Sequence, residues 1–141
     1  MARSNFKFYE NEYPYFLTCS ILDGIDLFSD PRISQIILDS FTFLQSEMQV
    51  KMYGYVIMHN HIHFIVEGED LSEDIRRLKS FTAREIIRYL ESTNRLIFLE
   101  RLKRGKRNHK KESTFQIWEE GSYPKQEIGR ASCRERVCYA V

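Results

Sequence analysis

The sequence predicts an α+β domain of ferredoxin-like type: a β-α-β-β-α-β split arrangement, with an antiparallel sheet and both helices on one face. Three observations predict it. Segments rich in β-branched and aromatic residues flank two long stretches of helical apolar spacing. The two middle strand segments are separated only by His59-Asn60, too short for a helical crossover, so they form a hairpin. A chain of 141 residues, 43% hydrophobic and 29% charged, has the size and composition of one globular domain rather than of a disordered chain.

The elements follow in order. Tyr15 to Leu22 (YFLTCSIL) is rich in β-formers and reads as the first strand, and Asp23-Gly24 turns the chain out of it. Asp30 suits a helix N-cap and Pro31 the first helical turn. Ile33, Ile36, Ile37, Ser40, Phe41 and Leu44 then make one apolar stripe. Met48 to Met58 reads as the second strand and His61 to Val66 as the third. Leu71 to Thr93 reads as the second helix, with Ser72 as N-cap and Glu73 and Asp74 complementing the dipole of its first turn. Leu71, Ile75, Leu78, Phe81, Thr82, Ile86 and Leu90 keep its helical spacing. From Arg101 to Lys111 the chain reads RLKRGKRNHKK without a carboxylate, a basic loop that is either a solvated surface or a phosphate-binding segment. Phe115 to Lys125 alternates Phe115 and Ile117 against Gln116 and Trp118, and reads as the fourth strand.

Several classes are set aside. Net charge is +1, so the total charge names no partner. No apolar run approaches the roughly 20 residues that span a bilayer, and the polar, aromatic N-terminus has no secretory h-region. A cytoplasmic protein with no membrane partner is expected. The three cysteines, Cys19, Cys133 and Cys138, show no CxxC spacing, so neither a disulfide framework nor a thiolate zinc site is indicated.

The chemistry concentrates in the third strand. His61 and His63 are two apart, so their side chains share one face. Two imidazoles on one face suit a divalent metal. His59 has the same parity but lies at the turn. An isolated His-x-His pattern is more often a pair of ordinary half-exposed strand residues.

The surroundings of the pair carry more. Tyr55-Val56-Ile57-Met58-His59-Asn60-His61-Ile62-His63-Phe64-Ile65-Val66 closely resembles the signature of the IS200/IS605-like single-tyrosine transposases and their repeat-associated relatives, which are HUH endonucleases. Met58, Asn60, His61 and His63 match that signature, while His59 stands where the family usually has proline. Ile75 to Ala83 is similar to the family's Lys-bearing helix, and Phe115 to Gly121 to its Trp-containing last strand. The opening strand and the Leu27 to Asp30 turn also fit, so the resemblance covers roughly residues 10 to 126.

The resemblance implies that His61 and His63, with a third polar ligand from a later helix, hold Mg²⁺ or Mn²⁺ against the scissile phosphate of single-stranded DNA. It implies a tyrosine on that later helix, a 5′-phosphotyrosine intermediate, hairpin-bearing element ends as substrate, a homodimer when full length, and a bacterial or archaeal source. No catalytic tyrosine is assigned. Tyr139 has neighbours unlike the family's tyrosine motif, Tyr123 precedes the expected helix and Tyr89 lies on the second helix, and these last two are expected to be packing or surface residues. The segment EIGRASCRERVC, which opens residues 127–141, resembles a translated sequencing adapter. The expectation is therefore an incomplete IS200-like transposase domain over residues 1–126, a non-native tail over 127–141, and no cleavage by the chain as written.

Candidate DNA-binding residues are Arg101, Lys103, Arg104, Lys106, Arg107, Lys110 and Lys111, which suit a phosphate backbone. Arg76, Arg77 and Lys79 are weaker candidates on the second helix, and Trp118 suits either base stacking or core packing. Two other functions compete. A non-catalytic single-stranded nucleic-acid-binding module fits the fold, although the aromatic pattern of RNA-recognition folds is not evident. A small metal-sensing protein fits the histidines alone.

Overall fold

The helices owe their positions to one alternation along the sheet. In the computed structural model, which describes residues 13–106, 114–121 and 125–126, the first strand, β1, is Tyr15–Ser20. A short 3-10 turn at Leu22–Gly24 leads to helix α1, Pro31–Glu47. Strands β2 (Lys51–Ile57) and β3 (His61–Glu67) form the hairpin, followed by helices α2 (Leu71–Ser92) and α3 (Leu96–Gly105) and a short strand β4 (Lys125–Gln126). The strand order is β2-β3-β1-β4, and every neighbouring pair is antiparallel. This is the predicted ferredoxin-like arrangement.

Tyr15, Leu17 and Cys19 of β1 and Ile62, Phe64 and Val66 of β3 bury one sheet face in the core. Ile33, Ile37 and Phe41 of α1 and Ile75, Leu78 and Ile86 of α2 meet them there. Phe41 lies against Phe64, with ring centroids 5.2 Å apart. The intervening residues, Phe16, Thr18, His61, His63 and Ile65, therefore take the opposite face. Neither long helix packs on that face, where Phe16 and Ile65 are nevertheless buried and His61 and His63 are half-buried.

Helix α1 begins as the sequence predicts. Asp30 Oδ1 accepts from the Arg32 N–H at 2.9 Å, with Pro31 in the first turn. Its second oxygen accepts from the Tyr89 hydroxyl at 2.7 Å, tying the start of α1 to α2. Tyr89 thus has the packing role expected of it. Burial works to raise the Asp30 pKa, but the Tyr89 hydroxyl, the Arg32 N–H and the Arg95 guanidinium together hold it below its ordinary value.

Five expectations need correction. The second strand starts at Lys51 rather than Met48, because Met48 caps α1 by donating to Leu44 O and Gln49 takes a left-handed φ of 55°. Helix α2 starts at Leu71, so Ser72 lies inside it; Asp70 is the N-cap and makes no side-chain capping bond. Phe81 is 46% exposed and leaves the predicted stripe, while the other six residues named for that stripe are buried.

The largest correction concerns the basic run, whose first half is helix rather than loop. Leu99 and Leu102 bury a third helix that the charged residues between them disguise. Asn94, at φ 52°, breaks α2 from α3, and the Arg95 N–H returns to Leu90 O at 2.9 Å.

The fourth strand is also less regular than predicted. Trp118 forms an isolated bridge with Ile21, flanked by Leu22 N–H donating to Ile117 O and Glu119 N–H donating to Ser20 O, both at 2.8 Å. Gln116, Ile117 and Trp118 are buried in succession, so the expected alternation fails. The Gln116 amide donates to Trp118 O two residues on, a local bond that competes with a strand ladder. Among the described residues, pairing with β1 resumes at Lys125–Gln126. Residues 127–141 lie outside the described residues.

Candidate metal centre on the open sheet face

The hairpin turn that carries the histidines is held from both sides. Met58 N–H donates to His61 O at 2.8 Å, closing a turn of two residues. The loop after β1 clasps it: Ile21 N–H donates to Asn60 O at 2.8 Å and Phe28 N–H to His59 O at 2.9 Å. The loop owes its path to two consecutive left-handed residues, Asp23 at φ 54° and Gly24 at φ 66°. Glycine is the low-cost residue in that conformation.

As predicted, His61 and His63 project from β3 onto one face, the one on which neither α1 nor α2 packs. Their ring centroids are 4.7 Å apart and the rings stand nearly perpendicular. Both are half-buried. His63 stacks on Phe16 with centroids 5.1 Å apart, and Phe16 forms a small buried pair with Ile65. Each imidazole is gripped at Nδ1. Thr18 Oγ1 lies 2.9 Å from His63 Nδ1, and Asn60 Oδ1 lies 2.8 Å from His61 Nδ1. Such outer contacts orient a metal-binding histidine. Burial, and secondarily the charge of His59, push the His61 pKa below its ordinary value, favouring the neutral form that can act as a ligand. His59 itself is exposed at the turn.

The donor set fits a hard or borderline divalent cation in part. Two neutral imidazoles supply two ligands. Among the described residues no group of three His, Cys, Asp or Glu side chains is placed to hold a metal. The pair by itself therefore leaves the remaining coordination positions to water, to phosphate oxygens or to a ligand from elsewhere.

The basic candidates divide. Arg101, Lys103 and Arg104 are exposed on α3, and Lys106 is half-buried just beyond it. Arg104 pairs with Glu100 at 3.3 Å, and Lys103 and Arg104 sit in the last turn, where cations complement the helix dipole. The end of α3 abuts the clasp loop: a Cβ placed on Gly105 would come within 2.5 Å of Asp23 Oδ2 and 2.8 Å of Leu22 Cδ2. Arg107, Lys110 and Lys111 lie outside the described residues.

The weaker candidates have structural employment. Arg76 and Arg77 pair with Glu73, at 2.6 and 3.3 Å, and Glu73 is driven down to about 2, first by its hydrogen bond from Arg76. Lys79 donates to the carbonyls of Glu119 and Gly121 at 2.9 and 2.8 Å, fastening α2 to the segment that follows Trp118. Trp118 is core: its indole N–H donates to Thr82 Oγ1 at 3.0 Å, and its ring tilts against Phe28.

Sequence reasoning missed Thr18 and Phe16 as neighbours of His63. Their only signal is parity: both have the β1 positions that face away from the core, but the partner strand and register are needed to place them.

Among the described residues, no helix is long and apolar enough to cross a membrane. Comparison with known proteins gives a consistent picture. A family model described as "Transposase IS200 like" matches residues 25–116, more than half of the chain and the whole of α1, the hairpin, α2 and α3. No protein in the curated collection matches. Among solved structures, a REP-associated tyrosine transposase bound to a REP hairpin superposes with a TM-score of 0.65 at 14% identity, covering 99% of this chain and 70% of that one, a likeness of fold. The family match, spanning the histidine hairpin and both flanking helices, shows that the chain belongs to the IS200-like transposases.

Proposed function

We propose that this chain is the metal- and DNA-binding part of a transposase that cuts and rejoins single-stranded DNA at hairpin-bearing element ends. The observation that carries the proposal is the His61–His63 pair, side by side on the sheet face that the helices leave open, within a domain of this family. The solved neighbour's hairpin DNA supports the choice of ligand class.

His61 and His63 are the residues that would hold Mg²⁺ or Mn²⁺, and the bound ion would polarise a phosphate oxygen and offset its developing charge. The protein's own part is orientation. Thr18 and Asn60 fix the two rings, and Phe16 supports His63 from beneath. The exposed cations of α3, Arg101, Lys103 and Arg104, with Lys106 and the further candidates Arg107, Lys110 and Lys111, would follow the DNA backbone. The nucleophilic tyrosine and a third metal ligand would belong to a helix beyond Gln126. With that helix in place the protein would cut the DNA it binds and would dimerise.

The test uses two proteins: the chain as written, and the chain continued beyond Gln126 from its source locus. Each is given 3′-labelled single-stranded DNA carrying a hairpin, with Mn²⁺. The continued chain should cleave and form a covalent protein–DNA species, whereas the chain as written should only bind. Replacement of both His61 and His63 by Ala should abolish cleavage. Cleavage that survives the double replacement contradicts the proposal.

A further inference from the structure

We infer that Asn60 is a positioning residue that sets the tautomer of His61, a role that rests on the metal reading of the histidine pair. The inference follows from one side-chain amide with two neighbours. Asn60 Nδ2 lies 3.2 Å from Gly24 O. A backbone carbonyl can only accept, so the amide nitrogen must face Gly24 and the amide oxygen must face the other way. That oxygen lies 2.8 Å from His61 Nδ1. An amide oxygen can only accept in turn, so Nδ1 carries the ring proton. A neutral imidazole has one N–H, and Nε2 is therefore the nitrogen with the lone pair.

The Gly24 carbonyl is set by the backbone of its own loop and not by the Asn60 side chain alone. Asp23 and Gly24 are both left-handed, and Gly24 N–H donates to Ile21 O at 3.1 Å. Ile21 N–H in turn donates to Asn60 O at 2.8 Å, so loop and turn bind each other through both main chain and side chain. The proton on His61 is thus dictated by a glycine carbonyl thirty-six residues earlier in the chain. An unconstrained imidazole samples both tautomers, and this relay commits the ring before any cation arrives. The same hydrogen bonds restrain rotation of the ring about its bond to Cβ.

The experiment follows the imidazole nitrogens of the full chain, labelled with ¹⁵N-histidine, in metal-free buffer where the ring is neutral. In the wild type, His61 should show a protonated Nδ1 and an unprotonated Nε2. Asn60→Ala should move His61 to a mixture of tautomers and weaken Mn²⁺ binding by about ten- to a hundredfold, the usual effect of losing an orienting partner. Asn60→Asp retains an oxygen towards Nδ1 and should keep the wild-type nitrogen pattern. Thermal melting of each variant verifies that it is folded, and the wild-type nitrogen pattern carries the test if the Ala variant is not. A His61 protonated at Nε2 in the wild type overturns the inference, as does a nitrogen pattern unmoved by Asn60→Ala. A wild type that shows the expected pattern and binds no Mn²⁺ overturns the metal reading alone.

Discussion

Thr18 stands directly opposite His63 in the β1–β3 ladder, and its hydroxyl lies 2.9 Å from the imidazole Nδ1. A central strand thus lends a polar side chain to the ring on its neighbour, on the face the helices do not use. Thr18→Val keeps the β-branched shape and removes only the hydroxyl. Mn²⁺ affinity should fall by about tenfold or more while the melting temperature changes little. Calorimetric titration of the variant beside the wild type checks this, and equal affinities would exclude an orienting role.

Asp30 joins three elements: it caps α1, accepts from Tyr89 of α2 and faces Arg95, 3.7 Å away before α3. Asp30→Ala should cost about 1–2 kcal/mol through loss of the cap. Because the folded-state pKa is lowered, the stabilisation is fully present above the ordinary carboxylate pKa and disappears as pH falls through the folded value. Urea unfolding of both proteins across the acid range should show the difference narrowing towards low pH. A constant difference would mean that the carboxylate charge does not contribute.

Lys79 was a candidate for DNA contact by its helix, yet it fastens α2 to the carbonyls of Glu119 and Gly121. Lys79→Met should destabilise the fold by about 1–3 kcal/mol, the range for charge-assisted hydrogen bonds. The exposed Arg76→Ala should cost less than about 1 kcal/mol, because surface ion pairs are weak. Denaturant midpoints for the two variants decide the matter, and a reversed order would contradict these assignments.

Helix α3 combines a structural face with a charged one. Leu102 is fully buried, so Leu102→Ala should destabilise by about 2–5 kcal/mol. Replacing the exposed Arg101 and Lys103 by Ser should cost less than about 1 kcal/mol each, from helix propensity and the charge at the helix end. If they contact phosphates, each loss lowers the salt dependence of single-stranded DNA binding by a slope of about 0.7. Binding measured across a salt series reads this directly, and an unchanged slope would assign both residues to solvent.

The sequence made the local features legible. The cap at Asp30, the α1 stripe, the two-residue hairpin and the shared face of His61 and His63 all depend on neighbours in the chain, and each is found. What was illegible depends on distant partners. Phe81 keeps helical spacing but falls outside the arc that α1 and the sheet cover. Helix α3 hides because two buried leucines amid charges make a weak pattern alone, and only packing completes it. The grip of Thr18 and Asn60 on the histidines needs the strand register and the clasp loop, which no local pattern encodes.

The most direct measurement is a Mn²⁺ titration of the full chain followed by electron paramagnetic resonance, alongside a variant with both His61 and His63 replaced by Ala. The wild type should bind one Mn²⁺ saturably, and the variant should lose that site while melting at nearly the same temperature. Saturable Mn²⁺ binding of equal strength in both proteins would contradict a metal centre at this pair.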